Sequence, residues 1–205
     1  PELRGTPLPP GVSVGQVTWQ VGSLEEVVEG ERWFVEQGRE ILRSGRDTPG
    51  SNWHTYTPDP DGHPNELYYG MEQIGWSGHS KPFAMHRGFR QPPSLPQISE
   101  QQEIEAALEQ GIDPGAGSHL LDSGESFEHE LSGVLAARPF KITGIGPVRL
   151  FARDFEASLA FYQKQLGLKL TEEIVWKGHR CAFLRANTEH HSLALYGEAL
   201  RVEIA

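Results

Sequence analysis

Apolar residues from position 12 alternate with polar ones. Val12, Val14, Val17, Trp19 and Val21 form a β-rich run that Gly22 ends. Ser23 followed by Glu26 has capping-box spacing. Leu24, Val27, Val28, Phe34 and Val35 then recur at helical period, which predicts a helix over 24–42 interrupted by Gly30 and Gly38. Residues 44–52 are polar and rich in turn formers. His54–Thr57 reads as a short strand, Asp59-Pro60-Asp61-Gly62 as a turn, and Asn65–Tyr69 as a further strand.

Residues 76–140 lose this order. Pro82, Pro92, Pro93 and Pro96 break the segment, and Gly115-Ala116-Gly117 loosens it. One helix is predicted there, over 99–110, capped by Ser99 with Glu100, Glu103 and Glu105 early in it. The segment is too long for an ordinary loop and reads as an interdomain arm packed over a surface. From Ile142 the first pattern returns. Val148, Leu150 and Phe151 make a strand, and Asp154 is placed to cap a helix that carries Phe155, Leu159, Tyr162 and Leu166 on one face. Gly167 stands where a C′ glycine belongs. Strands follow at 168–176, 180–185 and 191–196, and Leu-Tyr-Gly at 195–197 parallels Tyr-Tyr-Gly at 68–70.

Residues 12–70 and 142–197 therefore read as two copies of one strand–helix–strand–strand–strand unit. The expected organisation is an α+β protein with a βαβββ half-module over 1–75, a long irregular linker over 76–141, and a second half-module over 142–205.

Composition narrows the function classes. The 205 residues carry 18 Lys+Arg against 28 Asp+Glu, a formal charge of −10, which argues against a nucleic-acid partner. Mean hydropathy is −0.47, no apolar run reaches the length of a membrane helix, and no signal peptide is visible. Gly 23 and Pro 15 argue for many turns and against a helical bundle. The single Cys181 excludes an intrachain disulfide and a Cys-based zinc cluster, and fits a reducing cytoplasm. On its apolar strand Cys181 reads as a small buried hydrophobe, and Trp19, Trp33 and Trp176 as core and interface fillers. No Gly-rich phosphate loop or nucleophile elbow is present. His54, His63, His79 and His179 show no ligand-like pairing.

Asp154-Phe-Glu-Ala-Ser-Leu-Ala-Phe-Tyr162, Leu166-Gly167, Cys181-Ala-Phe-Leu-Arg185 and His190-His191-Ser-Leu-Ala-Leu195 together resemble the vicinal-oxygen-chelate superfamily. They resemble in particular the first half of the catalytic domain of type I extradiol ring-cleaving dioxygenases. Tyr56-Thr-Pro-Asp-Pro-Asp-Gly62 with Asn65-Glu66-Leu67 resembles the end of the second half-module of that domain. The resemblance implies paired βαβββ modules forming half-open curved-sheet barrels around a divalent metal. It implies a two-His-one-carboxylate site with open positions for substrate and oxygen.

Carried over residue by residue, the resemblance puts Glu66 at the carboxylate ligand position and Gln16 where a first-strand His would stand. A neutral amide is a weaker donor than imidazole, and glyoxalases of the same superfamily use Gln there. Pro147 falls on the other first-strand position and Leu193 on the counterpart of Glu66; neither carries a donor. His191 matches the family's catalytic acid–base, with His190 as a common companion. Tyr56 matches a substrate-binding Tyr, and Asp47 stands near the position of another family His.

The resemblance implies a metal-dependent oxygenation of a catechol-type aromatic, with Fe(II) or another divalent ion such as Mn, Zn or Ni. Two alternatives stand beside it: a metal-free small-molecule binding protein of the bleomycin-resistance type, to which Pro147 and Leu193 point, and a glyoxalase-type lyase or isomerase. The order of the units is the reverse of a simple module. It predicts either the middle of a four-unit protein or halves that close on each other or across a dimer. Association as a homo-oligomer, or with a segment that completes the barrels, follows in both cases.

Overall fold

The structure is a computed structural model, and it describes residues 14–46, 53–71, 80–86, 93, 95–117 and 124–204. The start of the first predicted strand at Val12, as well as Asp47 and His79, lie outside the described residues.

The first unit runs β1 (Val17–Gln20), α1 (Leu24–Glu36), β2 (Arg43–Arg46), β3 (Trp53–Pro58) and β4 (Pro64–Tyr68), in a sheet of order β1-β4-β3-β2. β1 lies parallel to β4, as a strand must when a crossover helix precedes the rest, and the other pairs are antiparallel. Ser23 caps α1 by accepting from the Glu26 amide at 3.2 Å. The Glu26 carboxylate returns to the Gly22 amide at 2.7 Å. The helix stops at Glu36 rather than continuing to 42, because Gly38 takes a left-handed φ of 68°. Gly30 stays inside the helix for a packing reason: a Cβ there would lie 2.7 Å from Leu67 Cδ1. β2 falls in a stretch whose composition reads as a turn. Its Arg-Ser-Gly-Arg sequence has little strand propensity, and it extends because β3 offers it a ladder.

The last unit repeats this plan with β7 (Val148–Ala152), α3 (Phe155–Ala160), β8 (Lys169–Trp176), β9 (His179–Arg185) and β10 (Leu193–Gly197), in the order β7-β10-β9-β8. β7 is again parallel to β10. Asp154 caps α3 through the Ala157 amide at 3.0 Å. The helix widens into one π turn over Phe161–Gln165, closed by Leu166 N to Phe161 O at 3.2 Å. Phe161 and Tyr162 are both fully buried there, and Gly167 ends the helix at φ 75°. The duplication read from the sequence is thus a duplication of topology, in two separate open sheets rather than a closed barrel.

Between the units lie α2 (Glu100–Glu109) and a short hairpin, β5 (His129–Leu131) and β6 (Val134–Ala136). Ser99 and Gln102 form the reciprocal capping box of α2. α2 covers a cavity of about 700 Å³ together with Leu24, Trp53, Met85 and Ile98. The chain ends in a short helix, α4 (Arg201–Ile204). No helix among the described residues is long and apolar enough to cross a membrane.

The two units meet through the Asp59–Asp61 turn. Asp61 accepts from Arg153 N (3.0 Å), Arg153 Nε (2.9 Å) and Ser158 Oγ (2.9 Å), and its carbonyl accepts from Arg153 Nη2 at 2.9 Å. Asp59 accepts from the Tyr162 hydroxyl at 2.8 Å and also binds the amides of Asp61 and His63. Trp33 Nε1 reaches the Gln165 carbonyl at 3.1 Å, and the Arg39 guanidinium sits 5.2 Å from the Phe161 ring centre. Val17 of the first unit packs into the core formed by Leu150, Phe161, Leu184 and Leu195 of the last.

Asp61→Ala would leave the buried Ser158 hydroxyl and the Arg153 amide without their acceptor. The expected loss is about 2–3 kcal/mol in chemical denaturation, from the cost of burying unpaired donors. A variant within about 0.5 kcal/mol of the parent, the range of inert surface changes, would refute the clamp.

Burial and the Asp59 charge hold the Tyr162 phenol well above its ordinary value of 10.0. A raised folded-state value means that the unfolded chain loses this proton first. Unfolding free energy should therefore be flat below pH ~10 and fall as pH rises beyond it, towards the folded-state value. Tyr162→Phe should show a smaller fall.

Candidate functional site

Strand register builds the site. Thr18 pairs with Glu66, Glu66 with Tyr56, and Tyr56 with Arg43, so these four side chains form one row across the first sheet. Leu67 points the other way, towards Gly30 of α1, so the row lies on the face opposite the helix. Gln16, one residue before β1, completes it. Its Nε2 donates to Glu66 Oε2 at 2.8 Å, and Thr18 Oγ1 donates to the same oxygen at 2.9 Å. The Tyr56 hydroxyl points at Gln16 Oε1 across 3.4 Å. Gln16, Tyr56 and Glu66, predicted from separate segments, therefore stand together.

His54 belongs with them, which corrects its reading as an unpaired histidine. Its Nδ1 lies 3.4 Å from Glu66 Oε1, and its ring meets Tyr56 edge-on at 5.0 Å. The available signal was its place two residues before Tyr56 on one strand, which puts both on one face. His63 is also paired, in the clamp: its Nδ1 lies 2.9 Å from Asp59 Oδ2.

Tyr56 and Glu66 are both buried, at 3% and 5% exposure. Burial first, then the Glu66 charge, pushes the Tyr56 phenol far above its ordinary 10.0. The Arg43 guanidinium, 4.6 Å from the ring centre, opposes this only in part. The phenol is consequently a hydrogen-bond donor throughout the neutral range.

As a metal site, this row offers one carboxylate, one amide oxygen and one imidazole. That set fits a divalent ion, with Glu66, Gln16 and His54 as its holders. It is one imidazole short of the two-His-one-carboxylate set. Among the described residues no group of three or more His, Cys, Asp or Glu is placed to hold a metal.

The matching face of the last sheet is built differently. Arg149, Ala194, Phe183 and Glu172 form its row, by the register of β7, β10, β9 and β8. Leu193 is not the counterpart of Glu66. It is fully buried, pairs with Val148 and Leu184, and packs in the core with Leu159 of α3. The Tyr-Gly pairing that suggested the match is off by one residue, which turns a strand side chain to the opposite face. Pro147 stands just before β7 and brings no donor. His191 lies at the entry to β10, its ring 5.0 Å from Phe183 and 5.2 Å from His190. Phe151, Phe183 and Tyr196 make tilted and edge-to-face ring contacts around it. These partners all come from the last unit, whereas the partners of Glu66 described above come from the first. Cys181 is buried, and burial raises its thiol, as expected for an inert structural cysteine.

Replacing Glu66 by Gln removes the second-largest cause of the Tyr56 elevation and leaves burial in place. Tyrosinate absorbance should then show Tyr56, identified by its loss in Tyr56→Phe, titrating at lower pH than in the parent but still above 10. An unchanged titration would mean that the two groups are not coupled.

Residues 144–203 match the Glyoxalase/Bleomycin resistance protein/Dioxygenase superfamily. No curated protein matches the chain. Among solved structures it is similar to a halotolerant catechol dioxygenase, at 19% identity and a TM-score of 0.50 over 91% of this chain and 46% of that one. It is also similar to the Mn(II)-bound glyoxalase from Novosphingobium aromaticivorans, at 13% identity and a TM-score of 0.48 over 88% of this chain and 41% of that one. A third is 2,2',3-trihydroxybiphenyl 1,2-dioxygenase from Sphingomonas wittichii strain RW1, at 17% identity and a TM-score of 0.46 over 88% and 46%. The chain spans less than half the length of each of these proteins. At such identities the likeness is one of fold.

Proposed function

From the match of residues 144–203 to the Glyoxalase/Bleomycin resistance protein/Dioxygenase superfamily, we propose that this chain is an extradiol-type, ring-cleaving dioxygenase-like protein. Its reaction is the metal-dependent oxygenation of a catechol-type aromatic. The observation that carries the reading is the meeting of Gln16 with the buried pair Glu66 and Tyr56, which sets a hydroxyl donor beside a carboxylate and an amide. Glu66 and Gln16 are the assigned metal holders, with His54 at the edge of the site. A bound divalent ion, Fe(II) in this reading, supplies Lewis acidity towards two neighbouring substrate oxygens. Tyr56, held protonated, donates to a substrate oxygen and fixes its orientation. His191 would take the substrate hydroxyl proton if it shares a cavity with Glu66, and the rings of Phe183 and Tyr196 would then provide an apolar wall for a flat substrate. The single buried cysteine supports a cytoplasmic setting.

A glyoxalase-type lyase or isomerase is favoured by a different observation. Gln16 adjoins Glu66 through a 2.8 Å hydrogen bond from its amide nitrogen, and one imidazole stands beside them instead of two. The fully exposed outer strand β8, with Leu170, Ile174, Val175 and Trp176 along it, supports association with a second copy or a further segment.

The test begins with elemental analysis of the purified protein and of Glu66→Ala, followed by oxygen uptake with catechols after anaerobic loading with Fe(II). Stoichiometric metal in the parent, loss of at least tenfold in affinity in the variant, and oxygen consumption are expected. Metal binding without oxygen uptake, but with isomerisation of a hemithioacetal, would favour the second reading. Stoichiometric metal retained by Glu66→Ala would overturn the ligand assignment.

A further inference from the structure

Beside the ring cluster of the last unit, three side chains form a hydrogen-bonded line. Glu172 Oε2 lies 3.2 Å from His190 Nε2, and His190 Nδ1 lies 3.0 Å from His191 Nδ1. We propose that Glu172 and His190 are positioning residues that hold His191 in one tautomer, with its Nε2 lone pair directed away from the line as a base. The inference rests on the reading of His191 as the acid–base group and adds the two groups that prepare it.

The argument is one of donor and acceptor bookkeeping. A carboxylate only accepts, so His190 must present Nε2–H to Glu172. A neutral imidazole carries one proton, so His190 Nδ1 is then an acceptor. The facing atom, His191 Nδ1, must supply the proton of the 3.0 Å contact. His191 Nε2 is left with the lone pair. Neutral histidine in water prefers the opposite form, with the proton on Nε2, so the line works against the intrinsic preference. When His191 accepts a substrate proton at Nε2, its Nδ1–H stays on His190, and the imidazolium faces an acceptor backed by the Glu172 charge. No proton passes to Glu172, and its role is orientation and charge, as for the acid of a catalytic triad.

The surrounding structure holds the line in place. Phe183 meets both rings edge-on, at 5.8 Å for His190 and 5.0 Å for His191. Ser192 N bonds the Leu184 carbonyl at 2.8 Å, and Val148 N bonds the Ser192 carbonyl at 3.0 Å, which ties the entry to β10 to both neighbouring strands. The Asn187 side chain turns the preceding loop by accepting from Glu189 N at 2.8 Å. The charged groups on the elements around the pair are Glu172 on β8, Arg149 on β7 in the same row, and Arg185 and Glu189, which bond Asn187 at the base of the loop. Glu172 and His190 are each about half exposed, so the effect of the line is on tautomer and orientation more than on charge.

The test reads the imidazole nitrogens directly, by proton–nitrogen correlation NMR on histidine-labelled protein across a pH titration. Neutral His191 should carry its proton on Nδ1. Glu172→Lys should invert the line: an ammonium donates to His190 Nε2, which moves the His190 proton to Nδ1 and drives His191 to the Nε2–H form. Glu172→Gln keeps an acceptor oxygen and should retain the parent tautomer. His190→Phe keeps the ring contact and removes the acceptor, and should also move His191 to Nε2–H. A parent His191 protonated on Nε2, or an unchanged tautomer in both Glu172→Lys and His190→Phe, would overturn the proposal. In the oxygen-uptake assay, Glu172→Lys should lower kcat on the order of tenfold with KM unchanged. The expected tautomers in a protein that consumes no oxygen would uphold the line and defeat the dioxygenase reading instead.

Discussion

Two buried carboxylates on one tight turn determine how the halves of this protein meet. Asp59 and Asp61 are held at 5% and 4% exposure, where a charge without partners would be untenable. Their partners lie on the other half: the Arg153 amide and guanidinium, the Ser158 hydroxyl and the Tyr162 phenol. The turn can therefore be buried only when the start of α3 is in place against it. Apolar contact through Val17, and the Trp33 bond to the end of the π turn, then fill the space the clamp defines. The second-half-like unit and the first-half-like unit pair with each other within one chain.

The same pairing separates two kinds of surface. The first sheet presents a polar row in which a carboxylate, an amide, two hydroxyls and an imidazole converge, with His54, Tyr56 and Glu66 buried and Gln16 and Thr18 at its exposed edge. The last sheet presents rings, with two histidines and a carboxylate at its rim. Pro147 and Ala194 bring no side-chain donor to the second face, whereas on the first Gln16, Thr18 and His54 converge on Glu66.

Repetition, caps and turns were legible because they are local. Ser23, Ser99 and Asp154 cap their helices where spacing places them, and Gly167 ends α3 as its position suggests. Glu66, Gln16 and Tyr56 were named from separate segments, and strand register brings their side chains together. The end of α1 was misjudged because an apolar period ran on past a left-handed Gly38. β2 was missed because its residues extend only in answer to β3. Leu193 was misplaced because a one-residue error in register inverts a strand, and no local feature reports register.

The sequence by itself determined two strand–helix–strand–strand–strand units, their irregular connection and the residue types available for chemistry. Those follow from hydrophobic period, capping and turn preference, all properties of neighbours along the chain. Only the tertiary structure decided that the Asp-Pro-Asp-Gly turn is an intramolecular clamp, that His54 joins Glu66, and that Glu172 reaches His190. Each of these joins residues far apart along the chain, and each depends on strand register and on which face a side chain takes, which only the folded sheet defines.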